Sequence, residues 1–414
     1  MLAYRDDVGP AAAISRIAYM NQVSSTTFGL VAQDAKFEVI VVGAGIIGLS
    51  IAYELIAKGF RVALVDPTPG EKTSHVGAGM IAPVSETAFG EDDLTQFNLL
   101  AAASWPDFRQ RLEADSNCDL EFVQRGTIAV AFNADDRRFL MDLLNYQLNL
   151  GLKASPLTNG QCLELEPSLN PRVAGGILAE NDCHVNPRMC VNALLSTLNQ
   201  RGATLVKSEV QDIGVKQHGS NQNANSVILE NGTEIFGDFI VLATGVLGAD
   251  FPSIPKRFSP PLRAIKGQIL RLEANESTVS PTHVVRGMVQ ARPIYVVPRP
   301  SGELVVGATV EEKSEDFLPS AGGVENLLHD AFMLVPGLRE ANLREIGVGF
   351  RPGTRDNAPY IGKSGIESLY YAFGHFRHGI MQAPITAKII SNFITGQTPP
   401  KAAIVSDPLR DGIV

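Results

Sequence analysis

The chain has 414 residues, of which 45% are hydrophobic and 19% are charged. Its 35 basic and 44 acidic side chains give a net charge of −9, which disfavours nucleic-acid binding because phosphate recognition normally needs a basic surface. The length is enough for two domains, and no apolar run reaches the ~18 residues of a membrane-spanning helix. We therefore expect a globular, cytoplasmic protein with no nucleic-acid or membrane partner.

The N-terminal segment, residues 1–36, mixes charged and small residues and lacks the apolar stretch of a secretory signal. We predict a disordered extension here, or a true start at Met20. An amphipathic targeting peptide is the alternative interpretation.

The first regular pattern is a strand at residues 37–42, where continuous apolar and β-branched residues are typical of a parallel sheet covered on both faces. A glycine turn follows, then a helix at 47–58 that ends at Gly59, and a second strand at 61–66. This strand–helix–strand unit of about 30 residues has the size of a βαβ unit.

The later elements come in blocks. Helices are predicted at residues 94–112, 135–150, 187–202 and 380–396. Strands are predicted at 120–123, 127–130, 203–206, 238–243, 268–272, 294–297, 304–307 and 369–372, with short strands between 210 and 235 around an Asn231-Gly232 hairpin turn. The alternation predicts an α/β nucleotide-binding domain at 37–83, 184–259 and 346–400, a discontinuous, β-rich α+β substrate domain at 84–183 and 260–345, and a C-terminal tail at 401–414.

The glycine turn carries the strongest motif. Gly43, Gly45 and Gly48 form a GxGxxG pattern between a buried strand and a helix, and Asp66 ends the next strand. In a Rossmann-type fold these glycines allow a tight turn, the approach of a pyrophosphate, and close packing of the helix on the sheet. The carboxylate of Asp66 would accept a hydrogen bond from a ribose hydroxyl and would repel a 2′-phosphate. The motif therefore predicts a dinucleotide other than NADP.

Five further segments together resemble the D-amino-acid oxidase superfamily of FAD-dependent oxidoreductases, and within it the glycine-oxidase-like members. They are residues 73–83, 241–245, 295–299 with 305–309, 350–356 and 374–380. The resemblance covers approximately residues 37–396. It implies a Rossmann-type FAD-binding domain beside the discontinuous substrate domain.

The resemblance also implies which residues contact FAD. Besides the glycine loop, they lie in a flavin-wrapping loop, a strand near the adenine, the strand end that passes the cofactor, and a late loop over the flavin ring. The full set is Gly43, Gly45, Ile46, Ile47, Gly48, Asp66, Ser74, His75, Gly79, Met80, Ile81, Val210, Thr244, Gly245, His375, Phe376, Arg377, His378, Gly379, Ile380 and Met381.

Substrate contacts follow from the same resemblance. Arg351 corresponds to the arginine that holds the substrate carboxylate, and a planar guanidinium suits that role because it binds a carboxylate bidentately. Tyr295 and Arg377 are expected beside the substrate. The chain departs from the glycine-specific pattern at Val310 and Phe350, and both positions could line the pocket.

The implied reaction is the FAD-dependent oxidative deamination of glycine or small D-amino acids to a 2-oxo acid, ammonia and hydrogen peroxide, with molecular oxygen as acceptor. The family's glycine oxidases serve thiamine biosynthesis, and a homo-oligomer is compatible with the sequence. Two alternatives remain open: a D-amino-acid dehydrogenase that reduces a quinone or another carrier, and a non-catalytic FAD-binding module. A base role for His375 or His378 is a further alternative.

The four cysteines contain no CxxC pair, which predicts reduced thiols and no metal site. Because none lies beyond Cys190, the late loops offer no thiol to a flavin. We therefore expect FAD to be held non-covalently, unless Cys183 or Cys190 approaches the ring.

Overall fold

The computed structural model describes residues 31–218, 221–290, 292–313 and 316–410. Most of the predicted disordered extension, residues 1–30, lies outside the described residues. Its last part is ordered, since the Asp34 amide donates to the Glu234 carbonyl oxygen at 3.0 Å. The prediction of disorder is therefore wrong for the residues just before 36.

The described residues form the helices α1 Ile46–Ala57, α2 Thr73–Val76, α3 Asp92–Ala103, α4 Trp105–Ser116, α5 Ala134–Asn149, α6 Asn159–Leu165, α7 Pro187–Gln200, α8 Ala321–Leu334 and α9 Gly379–Ile394. They form the strands β1 Lys36–Val42, β2 Val62–Val65, β3 Met80–Ile81, β4 Thr127–Ala131, β5 Ser155–Leu157, β6 Gly175–Ala179, β7 Cys183–His184, β8 Thr204–Val206, β9 Val210–His218, β10 Asn221–Leu229, β11 Glu234–Leu242, β12 Arg263–Glu273, β13 Val284–Val289, β14 Arg292–Pro298, β15 Glu303–Gly307, β16 Asn342–Gly353, β17 Tyr360–Lys363 and β18 Leu369–Phe373. None of these helices combines the length and apolar character needed to cross a bilayer.

The first sheet has the order β17-β18-β11-β1-β2-β8, with β10 and β9 added beside β11. Strands β18, β11, β1, β2 and β8 run parallel, as the predicted βαβ unit requires. Val39 and Val41 pack in one core cluster with α1, α7 and α9, whereas Ile40 and Val42 pack in a second cluster with β9 and β10. The central strand is thus buried on both faces, as its continuous apolar sequence predicted.

The second sheet has the order β16-β12-β15-β14-β13-β4-β6-β5 and is antiparallel except where β13 meets β4. Helix α8 packs against it around Leu270, Val296 and Leu334. The predicted boundary at residue 346 falls inside β16, which pairs along its length with β12 of this sheet. That boundary is wrong, and the rest of the domain division stays a prediction.

Two local predictions also differ from the structure. The helix predicted at 94–112 is two helices that meet at Ser104, because Pro106 in the first turn of α4 lacks the amide that a continuous helix would need. The strand predicted at 120–123 is a single bridge between Val123 and His184, and Glu121 with φ of 51° breaks the extended conformation. The Asn231-Gly232 turn is confirmed, since it joins β10 to β11 antiparallel.

Candidate active site

The glycine loop lies between β1 and α1, where close contacts exclude larger side chains. Gly43 has φ of 100°, and a Cβ atom there would lie 2.4 Å from the Ala243 carbonyl oxygen. A Cβ at Gly48 would lie 1.9 Å from the Gly43 carbonyl oxygen. Gly45, the residue before α1, has no side chain to cap the helix, and the first turn holds no acidic residue. The helix N-terminus therefore keeps its positive potential for a phosphate group.

Asp66 follows β2 and faces this loop. One carboxylate oxygen accepts from the Ala44 amide and the other from the Thr68 amide, both at 2.8 Å. The carboxylate is thus fixed beside the start of α1, where a ribose hydroxyl would need it. Together with the open glycine loop, this arrangement fits the adenosine and pyrophosphate parts of FAD.

The predicted flavin-wrapping loop lies over the N-terminus of α1. Ser74 Oγ accepts from the Ile46 amide at 2.9 Å, which links α2 to α1. Gly79 has φ of 79°, and a Cβ atom there would lie 2.0 Å from the Val185 carbonyl oxygen. Met80 and Ile81 then form β3, which pairs with β7.

Three arginines from outside the loop hold its carbonyl oxygens. Arg188 Nε and Arg271 Nη2 both donate to the His75 oxygen at 3.0 Å, and Arg299 Nη2 donates to the Ala78 oxygen. Arg271 and Arg299 are buried and share the carboxylate of Glu303. We call Arg188, Arg271 and Arg299 the loop clamp. Sequence reasoning missed it, because its arginines come from distant elements.

A cavity of 430 Å³ opens between the wrapping loop and the second sheet. Many predicted residues line it: Ile46, Ser74, Gly79, Met80, Tyr295, Arg351, Phe376, Arg377, Gly379 and Ile380. The other predicted residues lie outside its lining: Gly43, Gly45, Ile47, Gly48, Asp66, His75, Ile81, Val210, Thr244, Gly245, His375, His378 and Met381. The structure thus brings the predicted flavin end and the predicted substrate residues to one cavity.

Arg351 is directed into this cavity from β16. Its Nη1 donates to the Thr309 carbonyl oxygen at 3.1 Å, and among the described residues no carboxylate forms an ion pair with it. Burial lowers the pKa of the guanidinium from its ordinary value, and the nearby Tyr295 and Glu86 act in the opposite direction. An arginine remains charged under such conditions, so the cavity holds a cation that lacks a protein counter-ion.

Tyr295 lies on β14, opposite Gly307 of β15. Its ring covers Gly307, since a Cβ atom there would lie 2.4 Å from the Tyr295 hydroxyl oxygen. Burial raises the pKa of this hydroxyl, which keeps it protonated. The hydroxyl can therefore donate a hydrogen bond into the cavity.

The loop before α9 closes the cavity from the side of the first sheet. Phe376 has φ of 46°, and its amide donates to the Pro352 carbonyl oxygen at 3.0 Å, which ties the loop to β16 one residue from Arg351. Gly379 and Ile380 begin α9, and its first turn contains no acidic residue. A helix N-terminus with this composition stabilises negative charge, as the resemblance implies for a reduced flavin.

Two histidines of this loop are buried. His375 Nε2 lies 3.0 Å from the Thr386 hydroxyl oxygen, and burial lowers its pKa to about 3. Burial also lowers the pKa of His378, which lies 3.4 Å from Glu86. Neither side chain lines the cavity. A role as general base is therefore not supported by their positions.

The remaining predicted positions lie near the cofactor loop or further away. Thr244 and Gly245 follow β11, and the Thr244 hydroxyl donates to the Gly248 carbonyl oxygen. The preceding residue, Ala243, is the one that Gly43 approaches. Val210 begins β9 and pairs with Leu229. Its contact with an adenine stays a prediction.

The two departures from the family pattern have different outcomes. Val310 lines the cavity and is 62% exposed, at its mouth. Phe350 does not line it, so that expectation is wrong. Side chains alternate along a strand, so Gly349 and Arg351 face the cavity while Phe350 packs against Phe317 at 4.8 Å between ring centroids.

Sequence reasoning also missed part of the cavity wall. Glu86 and Arg286 line it, and Arg286 Nη1 lies 3.3 Å from Glu86 Oε1. Phe89 and Phe139 add an aromatic rim, with ring centroids 6.1 Å apart. No local motif marks these residues: strand pairing sets Arg286 opposite Tyr295, and the other three reach the cavity from a loop and from α5.

The cysteines lie away from the site. Cys162, Cys183 and Cys190 are buried and Cys118 is half-buried, and none of the four is among the described residues that line the cavity. Cys190 is buried in the first sheet's core cluster, and burial raises the pKa of Cys183 to about 12. Within the described residues, no group of His, Cys, Asp and Glu side chains could hold a metal ion. This arrangement is compatible with non-covalent FAD.

Comparisons with known proteins agree with these features. A family model described as FAD dependent oxidoreductase matches residues 38–393. A glycine oxidase of Bacillus licheniformis is 30% identical over 370 residues, which covers 87% of this chain and 94% of the relative. The bifunctional protein ThiO/ThiG of Trichormus variabilis is 28% identical, and the match covers 90% of this chain but 54% of that protein. The crystal structure of glycine oxidase from Geobacillus kaustophilus superposes with a TM-score of 0.82 and 27% identity, covering 91% of this chain and 99% of that chain.

Proposed function

Because the chain belongs to the D-amino-acid oxidase family of FAD-dependent oxidoreductases, we propose that it oxidises glycine or a small amino acid to the imino acid, with oxygen as the electron acceptor. Hydrolysis of the imino acid yields a 2-oxo acid and ammonia, and oxygen is reduced to hydrogen peroxide. The fold and the FAD dependence predicted from the sequence are confirmed by the family match and the structural relatives. The substrate and the acceptor are the proposal.

One observation carries the proposal: the guanidinium of Arg351 lies at the cavity without a carboxylate partner among the described residues. A half-buried guanidinium without a counter-ion attracts an anion, so the site is suited to receive one. A substrate carboxylate supplies that charge and can bind the guanidinium bidentately.

The remaining residues would orient the substrate. The Tyr295 hydroxyl, kept protonated by burial, lies beside the anchor and can donate to the substrate. Bound FAD supplies the two-electron chemistry. With the carboxylate fixed, the substrate Cα atom would lie at the flavin end of the cavity. Such positioning can lower the activation free energy by several kcal/mol. Val310 and the phenylalanine rim face the rest of the substrate.

Glycine oxidases and the bifunctional ThiO/ThiG protein among the relatives support a substrate as small as glycine and a place in thiamine biosynthesis. They also argue against the non-catalytic alternative. We also propose that the protein is located in the cytoplasm.

The test is an assay of the purified, FAD-loaded protein with glycine, sarcosine, D-alanine and D-proline while hydrogen peroxide is measured. We expect peroxide at the rate of substrate loss. Flavin reduction without peroxide would favour the dehydrogenase alternative. Absence of flavin reduction by any of these amino acids would contradict the proposal.

A further inference from the structure

The charged side chains that line the cavity leave an excess of two positive charges. Arg286, Arg351 and Arg377 contribute three cations, and Glu86 contributes one anion. Arg377 is neutralised from outside the lining, since its Nη2 lies 3.3 Å from Glu91 Oε2. The balance therefore depends on the state of Glu86.

Glu86 is enclosed by groups that favour its ionised form. Its side chain is 7% exposed and lies 3.3 Å from Arg286 Nη1 and 3.4 Å from His378 Nδ1. Burial opposes ionisation, but His378 and Arg286 hold the pKa of this carboxyl well below its usual range. Burial lowers the pKa of His378, whereas the neighbouring Glu86 acts in the opposite direction.

Arg286 could otherwise serve as a second anion site. It lies on β13 directly opposite Tyr295 of β14, so its guanidinium shares the wall that carries the tyrosine. Its Nη1 also lies 3.4 Å from the Ser85 hydroxyl oxygen. With Glu86 ionised, Arg286 is neutralised, and Arg351 alone remains uncompensated.

We propose that Glu86 determines substrate specificity: by neutralising Arg286 it restricts the cavity to amino acids with a single carboxylate. This inference rests on the proposed function of the same cavity. A substrate with a neutral amine and one carboxylate matches the single excess positive charge. A substrate with a second carboxylate finds Arg286 already paired and faces the Glu86 carboxylate, which repels it.

The test compares two substrates on the FAD-loaded enzyme. Sarcosine carries one carboxylate, and iminodiacetate is the same N-substituted glycine with a second one. Glu86→Gln keeps the size of the side chain and removes its charge. We expect the ratio of kcat/KM for iminodiacetate to that for sarcosine to rise at least about tenfold, a change equivalent to ~1.4 kcal/mol.

The double variant Glu86→Gln with Arg286→Gln is the matched control. It removes both charges, so the ratio should return to the wild-type value. A ratio that does not change in Glu86→Gln, or a rise that persists in the double variant, would overturn the inference.

Binding of unreactive anions separates this inference from the proposed function. Dissociation constants of acetate and malonate can be measured from the change that each causes in the flavin absorption spectrum. Glu86→Gln should strengthen malonate binding relative to acetate at least about tenfold even if the enzyme turns over none of the amino acids. An unchanged malonate preference would reject the inference independently of turnover.

Arg286→Gln tests the charge balance in the opposite direction and does not depend on folding of Glu86→Gln. It leaves Glu86 to compensate Arg351, so acetate and malonate should both bind about tenfold more weakly than to the wild type. Unchanged binding of both anions would likewise reject the inference.

Discussion

The guanidinium of Arg351 lies against Gly267 of the neighbouring strand: a Cβ atom at Gly267 would lie 2.5 Å from Arg351 Nη1 and 2.6 Å from Nη2. The two strands are paired, with Ile265 opposite Arg351 and Gly267 opposite Gly349. The position of the anchor is therefore set by the absence of a side chain on β12. Gly267 therefore belongs to the proposed substrate site even though it offers no functional group.

Gly267→Ala should displace the anchor without unfolding the protein, because the atoms it would meet are the end of a flexible side chain. A shift of the anchor by about 1 Å can reduce kcat/KM roughly 100-fold. We expect that loss, mainly through a higher KM, with unchanged affinity for FAD. The matched control is Gly322→Ala in α8, where a Cβ atom meets nothing within 4 Å. Wild-type kinetics for Gly267→Ala would show that the close approach of Gly267 to the Arg351 guanidinium does not position the anchor.

Arg351→Ala should weaken carboxylate binding strongly. Removing one partner of a buried charge pair costs about 3 kcal/mol, which corresponds to a roughly 100-fold lower kcat/KM. FAD should remain bound, as its absorption spectrum would report. Arg344→Ala is the control, since Arg344 lies on the same strand but is largely exposed and paired with Glu273. If both variants behave alike, Arg351 is not the anchor.

The loop clamp should control FAD affinity. Arg271→Met removes one of the two donors to the His75 carbonyl oxygen and the partner that Glu303 has at 2.8 Å. Loss of hydrogen bonds to a charged group costs about 2 kcal/mol, so the melting temperature should fall and FAD should bind roughly tenfold more weakly. Fluorescence titration with FAD measures the affinity.

Arg263→Met is the matched control for the clamp, because Arg263 begins the same strand and forms a surface ion pair with Glu312. Arg263→Met should change neither the melting temperature nor the affinity for FAD measurably. If Arg271→Met lowers the melting temperature but binds FAD as tightly as the wild type, the loop clamp stabilises the fold without controlling FAD affinity.

Asp182 should make stability depend on pH. The residue is fully buried and accepts from the Val84 and Ser85 amides, and burial raises its pKa to about 6. A folded-state pKa above the unfolded value means that the group favours folding below about pH 4 and that this contribution is lost as the pH rises through about 6. Asp182→Asn cannot ionise.

The free energy of unfolding, measured by urea denaturation at several pH values, should therefore change differently in the two proteins. The wild-type value minus the Asp182→Asn value should fall between about pH 4 and pH 6 and level off above that range. A difference that stays constant would show that folding does not shift the pKa of Asp182, and one that rises with pH would show that folding lowers it.

Local sequence patterns were enough to predict the glycine turn and the position of Asp66 beside it. Gly43, Gly48 and Asp66 occur within one strand–helix–strand unit, and their spacing determines which atoms meet. The Asn231-Gly232 hairpin is local in the same sense. Prediction failed where a local break interrupted a pattern, as at Pro106, or where a strand lacked a clear signal, as in β16.

By itself the sequence therefore determined the dinucleotide loop, the central buried strand and, through family resemblance, the identity of Arg351 and Tyr295 as substrate-site candidates. The tertiary structure alone decided that Glu86 neutralises Arg286, that Gly267 makes room for the anchor, and that Phe350 faces away from the cavity. The physical reason is the distance along the chain between the residues that interact. Turns, helix starts and buried strands depend on neighbouring residues, whereas the charge balance and shape of the cavity depend on strands that pair across long stretches of chain and on which face of each strand a side chain occupies.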